Sequence, residues 1–350
     1  MSKRNIAGLF ACLFTMFIYA QQRTLRVMEY NVENLFDTLH AVGHQDAAFT
    51  PQGEHQWGGA RYWAKLSRLS RVIASAGGAT PIDLIALVEV ENDSVVYDLT
   101  QRTKLWRMGY EYVMTHSVDA RGINVALLYL PHQFRLLAKD SLRVMPPSDR
   151  LRITRDVMHV AGVLVTGDTL DVMVCHLPSR RGGTSAQRYR SLVAQRLRCV
   201  VDSIVSQRLH PYVLITGDFN GYYPERFLTD DLHVKLLGST TSALNISPTD
   251  LYLLTHDLHG RSDVRGTYKF QGQWNQLDHF VVNGAFFHSS SSLQISSAMG
   301  ACRLVDFPFL LRPDKSGQGG VHPFRTYLGT YYQGGYSDHL PIVLDIVLGE

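Results

Sequence analysis

Val213-Leu214-Ile215-Thr216-Gly217-Asp218-Phe219-Asn220 runs four strand-forming residues into a glycine and then two polar side chains. The apolar run has the composition of a strand covered on both faces. Gly217 permits a close turn, after which Asp218 and Asn220, two apart, point to the same side. An Asx-type turn closing a strand would use the same residues. Repetition decides between a turn and a site, because segments 25–34, 84–92, 170–181 and 336–346 also join an apolar strand to a polar cluster. Such strand ends, gathered on one face, make the mouth of a site.

A chain of 350 residues, 45% hydrophobic and 19% charged, is ample for a large core and carries no compositional sign of disorder. Residues 1–20 differ from the rest. Lys3 and Arg4 precede an uncharged apolar run over 6–20, and Ala20 stands before Gln21. That pattern predicts a secretory signal peptide, too short for a membrane span, and an exported protein of the periplasm or the extracellular space. Its loss removes two of the 34 basic residues, leaving 32 against 31 acidic ones. A net charge near +1 does not announce a polyanion partner. Cys175, Cys199 and Cys302 match no metal-cluster spacing; one disulfide stays open, while Cys175 reads as a small buried hydrophobe.

Past the leader, the strand from Leu25 ends in Asn31 and Glu33, and residues 37–59 form an unusually long loop, a candidate binding element. Tyr62, Trp63, Leu66, Leu69, Val72 and Ile73 recur at helical spacing over 60–76, with Arg61, Lys65, Arg68 and Arg71 assigned mostly to the outer face. Strand 82–89 ends in Glu89, and Glu91 reads as a solvated charge. Strands are expected over 110–116, 124–130, 157–165, 170–176, 277–282 and 342–347, and a long helix over 185–207. The loop Leu177-Pro178-Ser179-Arg180-Arg181-Gly182-Gly183 should be tight and exposed. No linker or repeat divides the chain, so residues 21–350 are expected to form a single catalytic domain. Strands outnumber helices, which suits two packed sheets with helices outside.

Asn31 with Glu33, Glu89, His176, Gly217-Asp218-Phe219-Asn220, Leu277-Asp278-His279 and Ser337-Asp338-His339 occur in the order found in the endonuclease/exonuclease/phosphatase superfamily. The chain from about Leu25 to its end resembles that group, whose members are similar to pancreatic deoxyribonuclease. The resemblance implies a four-layered α/β sandwich, two packed mainly antiparallel sheets flanked by helices, and metal-dependent cleavage of a phosphoester. It does not name the substrate.

The chemistry of such cleavage explains the residue types. Water must be aligned, charge on the phosphoryl oxygens neutralised and the leaving oxygen stabilised. Hard oxygen ligands suit Mg²⁺ or Mn²⁺, so Glu89 is the first candidate for the metal, with Glu33 and Asp338 as helpers and Asn31 beside them. Asp278 is expected to orient His339, leaving His279 a bystander. Asp218 would align or deprotonate the water, and Asn220 would donate to a phosphoryl oxygen. The resemblance gives His176 a contact to the scissile phosphate and a general-acid role. Arg121, Arg180 and Arg181 are candidates to reach phosphate, and Tyr268 to line the groove. The leading expectation is a monomeric nuclease or phosphodiesterase acting on nucleic acid. The alternatives are a phosphatase or phospholipase C-like hydrolase of inositol or lipid phosphates, and an inactive binding scaffold.

Overall fold

A computed structural model describes residues 23–146, 153–237, 246–261, 263–295, 298–314 and 319–349. The leader expected at 1–20 lies outside the described residues. The first sheet takes β1 (Thr24–Leu35), β2 (Leu84–Val90), β3 (Glu111–Met114) and β4 (Asn124–Tyr129) from the start of the chain. The second is built from β5 (Phe134–Leu142), β6 (Val157–Leu164), β7 (Thr169–His176), β8 (Tyr212–Asp218), β9 (Val234–Lys235), β10 (Leu251–Leu253) and β11 (Asp278–Asn283). The chain then returns to the first sheet with β12 (Leu293–Gln294), β13 (Cys302–Leu304) and β14 (Ile342–Leu348). Strand order is β12-β14-β1-β2-β4-β3, with β13 also on β14, and β5-β6-β7-β8-β11-β10-β9. Pairing is antiparallel except for β1–β2, β7–β8 and β9–β10.

Parallel neighbours need a crossover, and helices supply the two long ones: α1 (Gly59–Gly77) between β1 and β2, and α3 (Gly183–Gln207) between β7 and β8. β8 shows the layering. Tyr212 and Leu214 belong to the core shared by the two sheets, whereas Val213 and Ile215 pack with Met173 and Cys175 beneath Val193, Leu197 and Val201 of α3. Each such buried aliphatic side chain contributes on the order of 2 kcal/mol. The result is an α/β sandwich, two mixed, mainly antiparallel sheets flanked by helices.

This topology brings one set of strand ends together. The C-terminal ends of parallel strands β1 and β2 share an edge with the segment entering antiparallel β14, and those of β7 and β8 share one with the N-terminal end of β11. Asn31, Glu89, His176, Asp218, Asp278 and His339 therefore meet although they span more than three hundred residues. Gly217 serves this differently from the expected turn. It lies within β8 at φ 138°, and a Cβ there would come within 1.9 Å of the Cys175 carbonyl oxygen, so the residue allows close approach to β7.

Two local expectations are corrected. Lys65 is buried rather than outward; its ammonium donates to Thr326 Oγ1 and to the Tyr336 carbonyl, both at 2.5 Å. Glu91 is also buried and accepts the Asp37 N–H at 2.7 Å. Residues 93–101 form an unforeseen helix, α2 (Asp93–Gln101), whose N-cap Asn92 accepts the Val95 N–H at 3.1 Å. Strand β5 was also unforeseen, because its residues beyond Phe134 are largely exposed and mix apolar with polar side chains without alternation. Cys175, Cys199 and Cys302 are free thiols, and Cys175 is buried.

Candidate active site

The strand ends open into a cleft of about 650 Å³ whose lining includes Glu89, Arg121, His176, Asp218, Asp338 and His339. Its centre is a hydrogen-bonded cluster. His339 Nδ1 donates to Asp278 Oδ2 at 2.7 Å, and Nε2 lies 4.0 Å from Asp218 Oδ2. Asp218 accepts the Asn220 N–H at 2.8 Å and the side-chain amides of Asn31 and Asn220 at 3.1 Å each. Ser337 Oγ donates to the Asn31 carbonyl at 2.6 Å and accepts the His339 N–H at 3.1 Å, pinning the β14 lead-in to β1. Tyr268 covers the imidazole with ring centroids 4.8 Å apart.

Electrostatics assigns different protonation habits to these groups. Burial opposes charge on His339, but Asp278, Asp218 and Asp338 outweigh it and hold the imidazolium well above its ordinary range. Burial, with Asp278 nearby, pushes the Asp218 carboxyl up to about 7. His176 is the opposite case: burial, then Arg155, Arg121 and His339, hold its ring neutral. Its Nε2 faces Asp218 Oδ2 at 3.6 Å and Glu89 Oε1 at 3.7 Å. A neutral ring suits donation of a hydrogen bond; general-acid work would require it to gain a proton first.

Four non-glycine residues around the cleft sit at positive φ: Glu33 at 53°, Asn34 at 50°, Glu89 at 68° and Asn220 at 49°. Such backbone is uncommon and costs about 1–3 kcal/mol per residue, and the surrounding hydrogen bonds hold it. At Glu89 the holding contact is the Asn34 N–H on Oε2 at 2.9 Å. Oε1 faces Arg121 at 3.8 Å and His176 at 3.7 Å, beyond hydrogen-bond reach, and points into the cleft.

The remaining expected residues fall into two groups. Glu33 turns away from the cleft centre: its carboxylate accepts the N–H groups of Thr326 at 2.6 Å and Tyr327 at 3.3 Å and faces Lys65 at 3.8 Å. This makes it a strut for the loop 324–336 rather than an open metal ligand. Arg121, Arg180, Arg181 and Tyr268 all line the cleft, yet Arg180 is already paired with Glu225 and stacked on Tyr222, 4.7 Å from its centroid. His279 is fully buried, bonded to Thr255 Oγ1 and the Gly221 carbonyl at 2.9 Å each. Sequence reasoning missed Asn34 and Arg155, which also line the cleft. Arg155 is buried and donates to the Leu177 carbonyl at 2.8 Å, fixing the start of the Pro178–Gly183 loop.

A strand-end cleft with a carboxylate-held imidazolium, a carboxyl at its side and converging guanidinium groups belongs to hydrolases of phosphoesters. The Endonuclease/Exonuclease/phosphatase family matches residues 26–347 of the chain. The chain belongs to that family. Among solved structures, an endonuclease/exonuclease/phosphatase from Bacteroides vulgatus is 13% identical, with TM-score 0.55 over 93% of this chain and all of that one. The human Nocturnin catalytic domain with bound sulfate is 18% identical, TM-score 0.51, over 93% and 94% of the two chains. D. rerio TDP2 complexed with a single-strand DNA product is 16% identical, TM-score 0.52, over 92% and 98%. At these identities the likeness is one of fold. No curated protein matches the chain in sequence.

Enzymes of this family generally use a divalent metal, and the donor set fits one. Ligand atoms of Asp218, Asp278 and His339 lie within 4.8 Å of one another. In that group, however, Nδ1 is committed to Asp278 and Asp218 already accepts three N–H bonds. Glu89 Oε1 is the carboxylate oxygen left facing the cleft, and Asp338 lines the same space. One or two carboxylates with room for waters is the environment that Mg²⁺ prefers.

Proposed function

We propose that the chain is a divalent-metal-dependent phosphodiesterase that cleaves a nucleic-acid backbone by attack of water on phosphorus. The observation that carries the reading is the 2.7 Å Asp278–His339 bond beside Asp218, at the floor of a cleft ringed by guanidinium groups. Asp218, with its raised affinity for a proton, takes one from the attacking water as the new P–O bond forms and the P–O bond to the leaving sugar oxygen breaks, and that oxygen takes up a proton from solvent as it departs. The His339 imidazolium, oriented by Asp278, stabilises the charge that builds on a phosphoryl oxygen, and the neutral His176 ring holds the phosphate by N–H donation. Asn220, expected to reach the phosphate, instead donates to the Leu177 carbonyl and to Asp218 and so holds that carboxyl in place. A metal at Glu89 and Asp338 would supply further charge neutralisation.

A polymeric substrate is supported by space beyond one phosphate. Phe270 belongs both to this cleft and to a neighbouring one of about 900 Å³ that Arg312, Phe324 and Arg325 also line. Aromatic faces and cations in one trough suit stacked bases and a phosphate backbone. The single-strand DNA product held by D. rerio TDP2 motivates the same choice. The leader-like pattern of residues 1–20 adds export to the proposal, and N-terminal sequencing of the mature protein tests that part.

The deciding experiment presents a DNA duplex, a single-stranded DNA, an RNA, an inositol phosphate and a choline phospholipid to the purified enzyme, with Mg²⁺, with Mn²⁺ and with chelator. Metal-dependent cleavage of a nucleic acid is the expected result. Turnover of the inositol phosphate or lipid alone would replace this reading with the phosphatase or phospholipase one. Glu89→Gln should raise the Mg²⁺ concentration needed for half-maximal activity, and undiminished activity of metal-stripped enzyme would refute the metal.

A further inference from the structure

Glu29 is a fully buried acid in the middle of β1, two residues before Asn31 and on the same face, one layer beneath the cleft. In the strand register it lies opposite Ala86 of β2 and Ile342 of β14, neither of which offers a side-chain donor. Among the described residues both of its carboxyl oxygens lack a hydrogen-bond partner, and so does Asp278 Oδ1. The two carboxyls stand against each other. As a pair of anions they have no proton to share, and a buried charge without a donor is too costly to persist. One proton resolves both deficits. Protonated, Glu29 has an O–H to offer Asp278, whose Oδ1 is free while its Oδ2 receives His339 Nδ1.

We infer that Glu29 is a positioning residue, a neutral carboxylic acid that donates to Asp278 Oδ1 and so extends the catalytic pair into a chain Glu29–Asp278–His339. The titratable groups facing Glu29 favour the neutral acid with one exception. Asp278 on β11 and Asp218 on β8 disfavour a further negative charge, Cys175 on β7 is itself a buried neutral thiol, and only His339 pulls the other way. Burial, the largest influence, raises the Glu29 carboxyl well above the carboxylate range. The bond would lock the Asp278 carboxylate in the rotamer that serves His339, since an aspartate held at one oxygen alone can rotate about its terminal torsion.

The inference rests on the hydrolase reading for its kinetic arm only, and an infrared arm stands apart from substrate identity. Metal-free wild type at neutral pH should show one buried carboxylic-acid carbonyl stretch that Glu29→Gln lacks, over and above the bands of Glu33, Glu91 and Asp218 that the two proteins share. On whichever phosphoester the enzyme turns over, Glu29→Gln, which keeps a neutral N–H donor, should hold kcat within about threefold of wild type. Glu29→Leu, similar in size without a donor, should lose about tenfold or more in kcat at unchanged KM, with Tm equal to or above wild type. Absence of that difference band between wild type and Glu29→Gln, or equal loss of kcat in the two variants, would overturn the proposal, as would a Leu variant as active as wild type. If Glu29→Leu does not fold, the infrared difference between wild type and the Gln variant still decides whether the proton is there.

Discussion

Lys65 Nζ lies 3.8 Å from Glu33 Oε2, with both side chains buried between α1, the end of β1 and the loop that carries Thr326 and Tyr336. Burial draws the Glu33 carboxyl up to about 7 and the Lys65 ammonium down to about 8, while each partner opposes the other's shift. A buried pair of this kind is strongly destabilised by removing one member. Lys65→Met should cost about 3 kcal/mol in chemical denaturation, and adding Glu33→Gln should recover part of it. Additive losses in the double variant would show that the two charges do not sense each other.

The two histidines that stand beside an aspartate in sequence should separate by kind of damage. His339→Ala should lower kcat by about 10²–10⁴ with little change in Tm, because the ring lines the floor of the cleft and works on the substrate. His279→Ala should lower Tm while the folded fraction turns over normally, since it leaves Thr255 and the Gly221 carbonyl without their partner. Equal kinetic defects in folded samples of both variants would contradict the assignment.

Glu91 provides a pH-dependent stability term. Burial pushes its carboxyl up to about 8, so the folded state prefers the neutral acid. The folded pKa is above the unfolded one, and the stability gained is present below about 4.5 and lost as pH rises through about 8. Glu91→Gln keeps an acceptor for the Asp37 N–H, and should match wild type near pH 4 yet exceed it at pH 8–9 by on the order of 2 kcal/mol. Denaturation of metal-free protein at the two pH values checks this; a gain independent of pH would point to packing alone.

Arg180 and Arg181, adjacent in sequence, should respond differently to salt. Arg180 is occupied by Glu225 and Tyr222, while Arg181 has no carboxylate partner among the described residues and lines the cleft. If the substrate is a nucleic acid, Arg181→Ala should reduce the slope of log K against log salt by about one, and Arg180→Ala by less. Fluorescence anisotropy with a labelled oligonucleotide over a salt series measures both slopes, and the reverse ranking would refute the cleft assignment.

Local sequence determined which segments are strands and where their polar ends fall. The run from Val213 to Asn220 was readable because a doubly covered strand needs apolar residues on both faces, and 60–76 because one helical face must be buried. The ordered blocks from Asn31 to His339 identified the family before any contact was known. Tertiary structure decided how individual charges are used. Lys65 lies on a helix where spacing alone favoured an outer position, but three acids nearby and a Thr326–Tyr336 cradle turn it inward. Glu33 is adjacent in motif to Asn31 yet is spent on the loop 324–336, nearly three hundred residues away. Glu29 shares a face of β1 with Asn31, and nothing local shows that Asp278 stands against it. Side-chain direction follows from backbone geometry within an element, whereas the partner that makes a buried charge tolerable comes from another strand, and only the packed sheets bring it there.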